Sequence, residues 1–164
     1  MGTIRACAAE ERGAMLAIIN AAAEAYRGVI PADCWHEPYM GIDELDQEIA
    51  AGARFVGYEL DGSLVGIMAH QAIGDVDLIR HAYVLPAAQR RGVGAALLGH
   101  LRRGNWRQSL VGTWSAAGWA INFYERHGYR LVPRPRTAVL LNAYWRIPAR
   151  QVETSVVLAN PPLE

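Results

Sequence analysis

The stretch that decides the fold is Val84-Leu85-Pro86-Ala87-Ala88-Gln89-Arg90-Arg91-Gly92-Val93-Gly94-Ala95-Ala96-Leu97-Leu98. It opens as the end of an apolar strand, with β-branched Val84 in it. Pro86 has no N–H to donate and fixes its own φ, so the ladder stops there. Beyond the turn, Val93, Ala96, Leu97, His100 and Leu101 recur at helical spacing and make one largely apolar stripe. Gly92 and Gly94 stand where strand gives way to helix, directly after two arginines. Neither carries a Cβ, so a ligand can approach the backbone closely. The first N–H groups of a helix lack internal partners and sit at the positive end of its dipole, which suits phosphate or pyrophosphate.

Two other phosphate-binding patterns are excluded. No Gly-Lys-Ser/Thr follows at the spacing a P-loop requires. The dinucleotide fingerprint fails because its third glycine is absent and position 97 is Leu.

What remains, Gln89-Arg90-Arg91-Gly92-Val93-Gly94, resembles the Gln/Arg-x-x-Gly-x-Gly/Ala signature of the GNAT N-acetyltransferase superfamily. Two flanking segments carry the same resemblance. His81-Ala82-Tyr83-Val84-Leu85-Pro86 looks like the family's fourth strand, and Ala120-Ile121-Asn122-Phe123-Tyr124-Glu125-Arg126-His127-Gly128-Tyr129 like its Ala-x-x-Phe-Tyr-x-x-x-Gly-Phe/Tyr helix and turn. The likeness is clear over about residues 53–132. It implies an α/β fold of the α+β type, with a mixed, mostly antiparallel central sheet of about seven strands flanked by helices.

Composition agrees with a single ordinary domain, residues 1–164: 52% apolar, 20% charged and a formal net charge of +0. No global field favours nucleic acid or an anionic membrane, so neither is an expected partner. Cys7 and Cys34 make no metal cluster or disulfide framework, and fit a reducing cytoplasm. No signal-peptide core or membrane-length apolar run is present, so a cytoplasmic protein is expected.

Read in order, Thr3 to Cys7 is a short strand, and Glu10 to Tyr26 an amphipathic helix ended by Gly28. Val29 to Met40 has no periodicity, two prolines and two large aromatics; it is either a loop packed on the body or a binding segment. Ile42, Leu45 and Ile49 mark a second helix, ended near Gly52. Arg54–Leu60 and Leu64–Ile73 are strands joined by Asp61-Gly62, a strong hairpin signal, and Val76–Leu85 continues the meander. Leu110–Ser115, Tyr129–Val132 and Val152–Leu158 are the later strands, with a helix over Gly118–His127. Pro133 to Pro148 is an insertion of helical spacing containing Leu140, Leu141, Tyr144 and Trp145. Packing within the domain is its first reading; a homodimer contact and a pocket lid are the others.

The resemblance implies acetyl-CoA as cosubstrate and direct transfer of its acetyl group to a primary amine of a small molecule or an exposed amino group. Gln89, Arg90, Arg91, Gly92, Val93, Gly94, Ala95 and Ala96 match the turn that holds the coenzyme A pyrophosphate. Val84 matches the strand residue whose main-chain N–H polarises the thioester carbonyl. Tyr124 matches a tyrosine that protonates the departing thiolate, a role its phenol suits with an ordinary pKa of ~10. The family often has Asn three residues before the position of Ala120; here it is Ala117, so Asn122 is the replacement candidate. Trp35, Glu37 and Tyr39 fall in the region that helps shape the acceptor pocket. The family has no universal base. His81 is the candidate for shuttling the amine proton, with Asp77 and Glu37 as alternatives, against the bland reading that His81 is a packed strand residue. Five scattered histidines show no ligand spacing, so no metal is expected. The alternative function is a non-catalytic acyl-CoA-binding or sensor domain.

Overall fold

The computed structural model describes residues 2–164. Seven strands are present: β1 (Thr3–Ala6), β2 (Arg54–Leu60), β3 (Ser63–Ile73), β4 (Val76–Val84), β5 (Gln108–Trp114), β6 (Arg130–Leu131) and β7 (Ser155–Asn160). Six α-helices accompany them: α1 (Arg12–Ala23), α2 (Ile42–Ala50), α3 (Val93–Arg102), α4 (Gly118–Arg126), α5 (Arg134–Tyr144) and α6 (Ala149–Glu153). The strands form one mostly antiparallel sheet in the order β1-β2-β3-β4-β5-β7-β6. The class expected from the sequence is the class found.

Two compact units divide the chain. The first comprises residues 2–25, His36–Gln71 and Ile79–Trp106; the second comprises Tyr26–Trp35, Ala72–Leu78 and Arg107–Glu164.

In the first unit, the β2–β3 hairpin follows from Asp61-Gly62. Both residues have positive φ, 52° and 80°, and Leu60 pairs directly with Ser63. That is the two-residue turn whose twist matches the flanking strands. The core is built from Met15, Ile18 and Ile19 of α1, Leu45 of α2, and Phe55, Ile67 and Ala69 of the strands. Of the apolar residues that mark α2, only Leu45 is buried; Ile42 and Ile49 are exposed. All three share one helical face, but Ile42 and Ile49 stand at the two ends of the helix and stay open to solvent, while Leu45 in the middle is fully covered.

In the second unit, β7 pairs antiparallel with both β5 and β6. Val76, Leu78, Leu110, Val132, Leu141, Val157 and Ala159 make its core, with Tyr144 and Trp145 packed against it. Within the Pro133–Pro148 segment, α5 starts on the two prolines at its head, where their missing N–H groups have no helical partner to lose. Trp145 ends it by lying over β5: a Cβ on Gly112 would be 3.2 Å from the indole ring. The last strand needs a correction. Val152 lies in α6, not in a strand, and β7 begins at Ser155 and runs through Asn160. Pro148 opens a helical turn whose Gln151 and Val152 N–H groups both bond to its carbonyl, and Thr154 closes it.

Candidate active site

The first unit holds the glycine turn. Leu85 N–H bonds to Val65 O at 2.8 Å, so the chain leaves β4 still tied to β3. A short turn over Pro86–Ala88 follows, with Ala88 buried. Gln89 Nε2 then donates to Val84 O at 3.0 Å, clamping the turn back on the strand end. Arg90 and Gly92 both adopt left-handed backbone, φ 64° and 77°. Gly92 is the N-cap of α3, and its carbonyl receives the first helical bond from Ala96 N–H at 2.9 Å. Left-handed residues alternating with ordinary ones turn successive N–H groups to one side, a geometry suited to anions. No acidic residue occupies the first turn of α3 to oppose one, and Arg90 and Arg91 are exposed beside it. Gly94, Ala95 and Ala96 are half-buried, while Val93 and Leu97 anchor the helix in the interior. The residues present therefore fit a pyrophosphate.

His81, on β4, departs from strand geometry with φ 52°. A positive φ at a residue other than glycine is uncommon and, inside a strand, marks a break in the ladder. The imidazole stacks on Phe55, centroids 5.6 Å apart, and Nε2 lies 3.6 Å from Glu48 Oε1. Arg80 grips the same carboxylate, Nη1 to Oε2 at 2.9 Å and Nη2 to Oε1 at 3.1 Å. Burial pushes the Glu48 carboxyl up, but His81 and Arg80 together more than reverse this, and it sits below the usual carboxylate value. Val84 closes β4 half-buried, its carbonyl occupied by Gln89.

The acceptor candidates divide between the units. Glu37 and Tyr39 belong to the first, Glu37 exposed and Tyr39 packed on the core. Asn20 of α1 fixes the end of this loop: its Nδ2 donates to Met40 O at 3.0 Å and its Oδ1 accepts from Met40 N–H at 2.9 Å. Trp35 belongs to the second unit, half-buried, with the Arg27 guanidinium 4.7 Å over its ring.

Tyr124, in the second unit, is 5% exposed. Its ring meets Phe123 and Tyr129 edge-on, at 5.1 and 5.6 Å. Burial pushes its phenol well above the ordinary value, with Tyr26 and Tyr129 adding to the shift. Ala120, Phe123 and His127 are half-buried, as a shared face requires, whereas Asn122 is exposed. Asp77, the alternative base, is buried in the same unit with Oδ1 held by Arg107 Nε at 2.9 Å.

Glu48 and Asn20 were not legible as site residues. Glu48 sits in a helix with Asp43, Glu44 and Asp46, and only the fold sets Arg80 and His81 against it. Asn20 lies in an apolar helical repeat with no motif around it. Among the described residues, no group of three or more His, Cys, Asp and Glu is placed to hold a metal, and no helix is long and apolar enough to cross a membrane.

Residues 51–131 match the model of the acetyltransferase (GNAT) domain. A search of curated proteins finds no match. Among solved structures, the chain is similar to the PaiA N-acetyltransferase from Thermoplasma acidophilum in complex with coenzyme A, at 14% identity and a TM-score of 0.72, covering 97% of this chain and 98% of that one. A GNAT-family acetyltransferase from Staphylococcus aureus Mu50 gives 12% and 0.72 with the same coverage. The ribosomal-protein-S18-alanine N-acetyltransferase from Escherichia coli gives 17% and 0.68, covering 97% and 92%. At these identities the neighbours establish the fold; with the domain match over the glycine turn, α3 and α4, the chain belongs to the GNAT acetyltransferase family.

Proposed function

We propose that this protein is an acetyl-CoA-dependent N-acetyltransferase acting as one domain on a small-molecule amine or an exposed amino group. The observation that carries the reading is the turn from Gln89 to Ala96, with left-handed Arg90 and Gly92 leading into a helix start free of acidic residues. When bound there, acetyl-CoA supplies an activated acyl group on sulfur.

The chain's own residues divide the remaining work. The main-chain N–H groups from Gly92 to Ala95 bind the pyrophosphate, with Arg90 and Arg91 adding charge from solvent; Ala96 N–H is already taken by Gly92 O, so Ala96 serves the turn by closing the first helical bond. The Val84 N–H donates to the acyl oxygen, where preorganised backbone donors stabilise developing charge. His81 receives the amine proton; an ordinary lysine-type amine costs about 4–5 kcal/mol to deprotonate at neutral pH, so a base is worth having. Tyr124 gives a proton to the departing sulfur. Trp35, Glu37 and Tyr39 shape the acceptor side.

Purified protein given acetyl-CoA and a panel of amines should release free thiol above the hydrolytic background and yield an acetylated amine by mass spectrometry. Tight coenzyme A binding with no turnover on any amine would instead identify a non-catalytic acyl-CoA-binding domain.

A further inference from the structure

One ionised, largely buried side chain plays no part in the mechanism above. Glu48 stands in the last turn of α2, where its side chain is 20% exposed. Its fixing is unusually complete. Arg80 takes both carboxylate oxygens, Gln71 Oε1 accepts from Arg80 Nη1 at 2.9 Å, and Gln71 Nε2 donates to Ala51 O at 2.8 Å. The network ties α2 to β3 and β4 and leaves the carboxylate no freedom to turn.

His81 is held with equal care. Phe55 covers one ring face, the backbone is left-handed, and the side chain is 11% exposed. Backbone outliers of this kind persist only where the surroundings enforce them, and they gather at functional sites. Nε2 faces Glu48 Oε1 and is buried without a hydrogen-bond partner.

We propose that Glu48 is a positioning residue for His81: its carboxylate holds the imidazole as the Nε2–H tautomer and leaves Nδ1 as the atom that accepts the amine proton. The inference rests on the reading of His81 as the base. The contact of 3.6 Å needs to close by roughly 0.8 Å to become a charge-assisted hydrogen bond. Contacts of this type are often long without substrate and tighten when it binds. The proton count balances. Nδ1 first passes the ammonium proton to solvent, then takes a second as the nitrogen bonds to the acyl carbon, and Tyr124 gives one to sulfur as the carbon–sulfur bond breaks. Solvent returns the proton from His81 to Tyr124.

Two measurements decide it. Long-range 15N–1H correlation on the wild-type protein reads the tautomer of neutral His81 directly. Nε2–H is expected, and Nδ1–H overturns the proposal whatever the enzyme acetylates. Kinetics with the amine found by panel screening form the second. Glu48→Gln should lower kcat roughly tenfold or more with KM for acetyl-CoA unchanged. His81→Asn, which tolerates the left-handed backbone, should lower kcat further, and the double variant should be no worse than His81→Asn alone. Multiplicative losses in the double variant, or full kcat in Glu48→Gln, overturn the proposal. A wild-type protein that acetylates nothing defeats the enzymatic reading instead, and leaves the tautomer to decide the contact.

Discussion

Gly66 on β3 and Val93 at the start of α3 fit together only because Gly66 has no side chain: a Cβ there would lie 2.7 Å from Val93 Cγ1. Leu97 Cδ1 and Val84 Cγ2 close the same space at 3.4 Å. The strand that precedes the glycine turn, the helix that follows it and the sheet beneath are thus set by one missing methyl group.

Gly66→Ala should therefore act on the cofactor site at a distance. Val93 is β-branched and stiff at χ1, so relief must come from movement of α3 rather than from a rotamer change. Overpacking of this kind costs about 1–3 kcal/mol. Coenzyme A affinity should fall in calorimetry together with the melting temperature, and Val93→Ala in the same chain should restore both. Unchanged affinity in folded Gly66→Ala would break the link between the strand and the turn.

Gly92 separates sterics from charge. Nothing lies within 4 Å of a Cβ built there, and its φ of 77° is one that Asn and Asp tolerate best among other residues. Gly92→Asn should cost little in either stability or coenzyme A affinity. Gly92→Asp is nearly isosteric with it and adds a negative charge at a helix N-terminus, where it favours folding by about 0.3–1 kcal/mol. The same charge opposes the pyrophosphate by about 1–4 kcal/mol at ~4 Å. Stability and affinity should thus move in opposite directions in the aspartate variant. Equal coenzyme A affinities for the two variants would show that no anion binds there.

Trp145→Ala addresses the segment between β6 and β7. The indole lies over Gly112 with Leu141 beside it, and is half-buried. Large-aromatic truncations cost ~3–5 kcal/mol when fully buried, so about 2–3 kcal/mol is expected here. For a chain of this size that lowers Tm by roughly 4–12 °C. Sedimentation should be unchanged, because the ring packs on its own strand. A shift in sedimentation with no loss of Tm would make the segment an assembly contact.

What could be read beforehand was whatever local chemistry dictates. Asp61-Gly62, Gly28 and Gly128 mark their turns because those positions need positive φ, and each has it. The same Asp61-Gly62 turn ends the Arg54–Leu60 strand where it was expected to end. Val152 misled because β-branched residues on both sides of Thr154 look alike, and only the bonds to Pro148 O separate helix from strand. His81 gave no sign of its left-handed backbone, since histidine carries no conformational signature in a strand. Glu48 was one carboxylate among several on a polar helix, and its distinction comes from Arg80, 32 residues away in sequence. Local conformation was legible; the pairing of distant charges was not.

Tyr124 makes two predictions at once, because burial acts on both its chemistry and its contribution to stability. The phenol is proton donor only while protonated, and its pKa is raised in the folded protein by loss of solvation. Deprotonation of Tyr124 should therefore produce no alkaline fall in kcat up to about pH 10, the range where an ordinary tyrosine begins to ionise. Tyr124→Phe keeps the ring against Phe123 and Tyr129 and removes only the hydroxyl. It should lower kcat by ~10²-fold, the low end of general-acid help, because a thiolate departs readily even unprotonated. Coenzyme A affinity should hardly change. Above pH ~10 the unfolded chain gives up its tyrosine proton while the folded one keeps it, so the native state binds more protons and stability falls as pH rises. Tyr124→Phe removes that difference, and should lose less stability than wild type between pH 9 and about 11 in denaturant titrations. A variant with full kcat, measured with chemistry rate-limiting, but with the flatter alkaline profile would make Tyr124 a core residue and leave the sulfur to depart unaided.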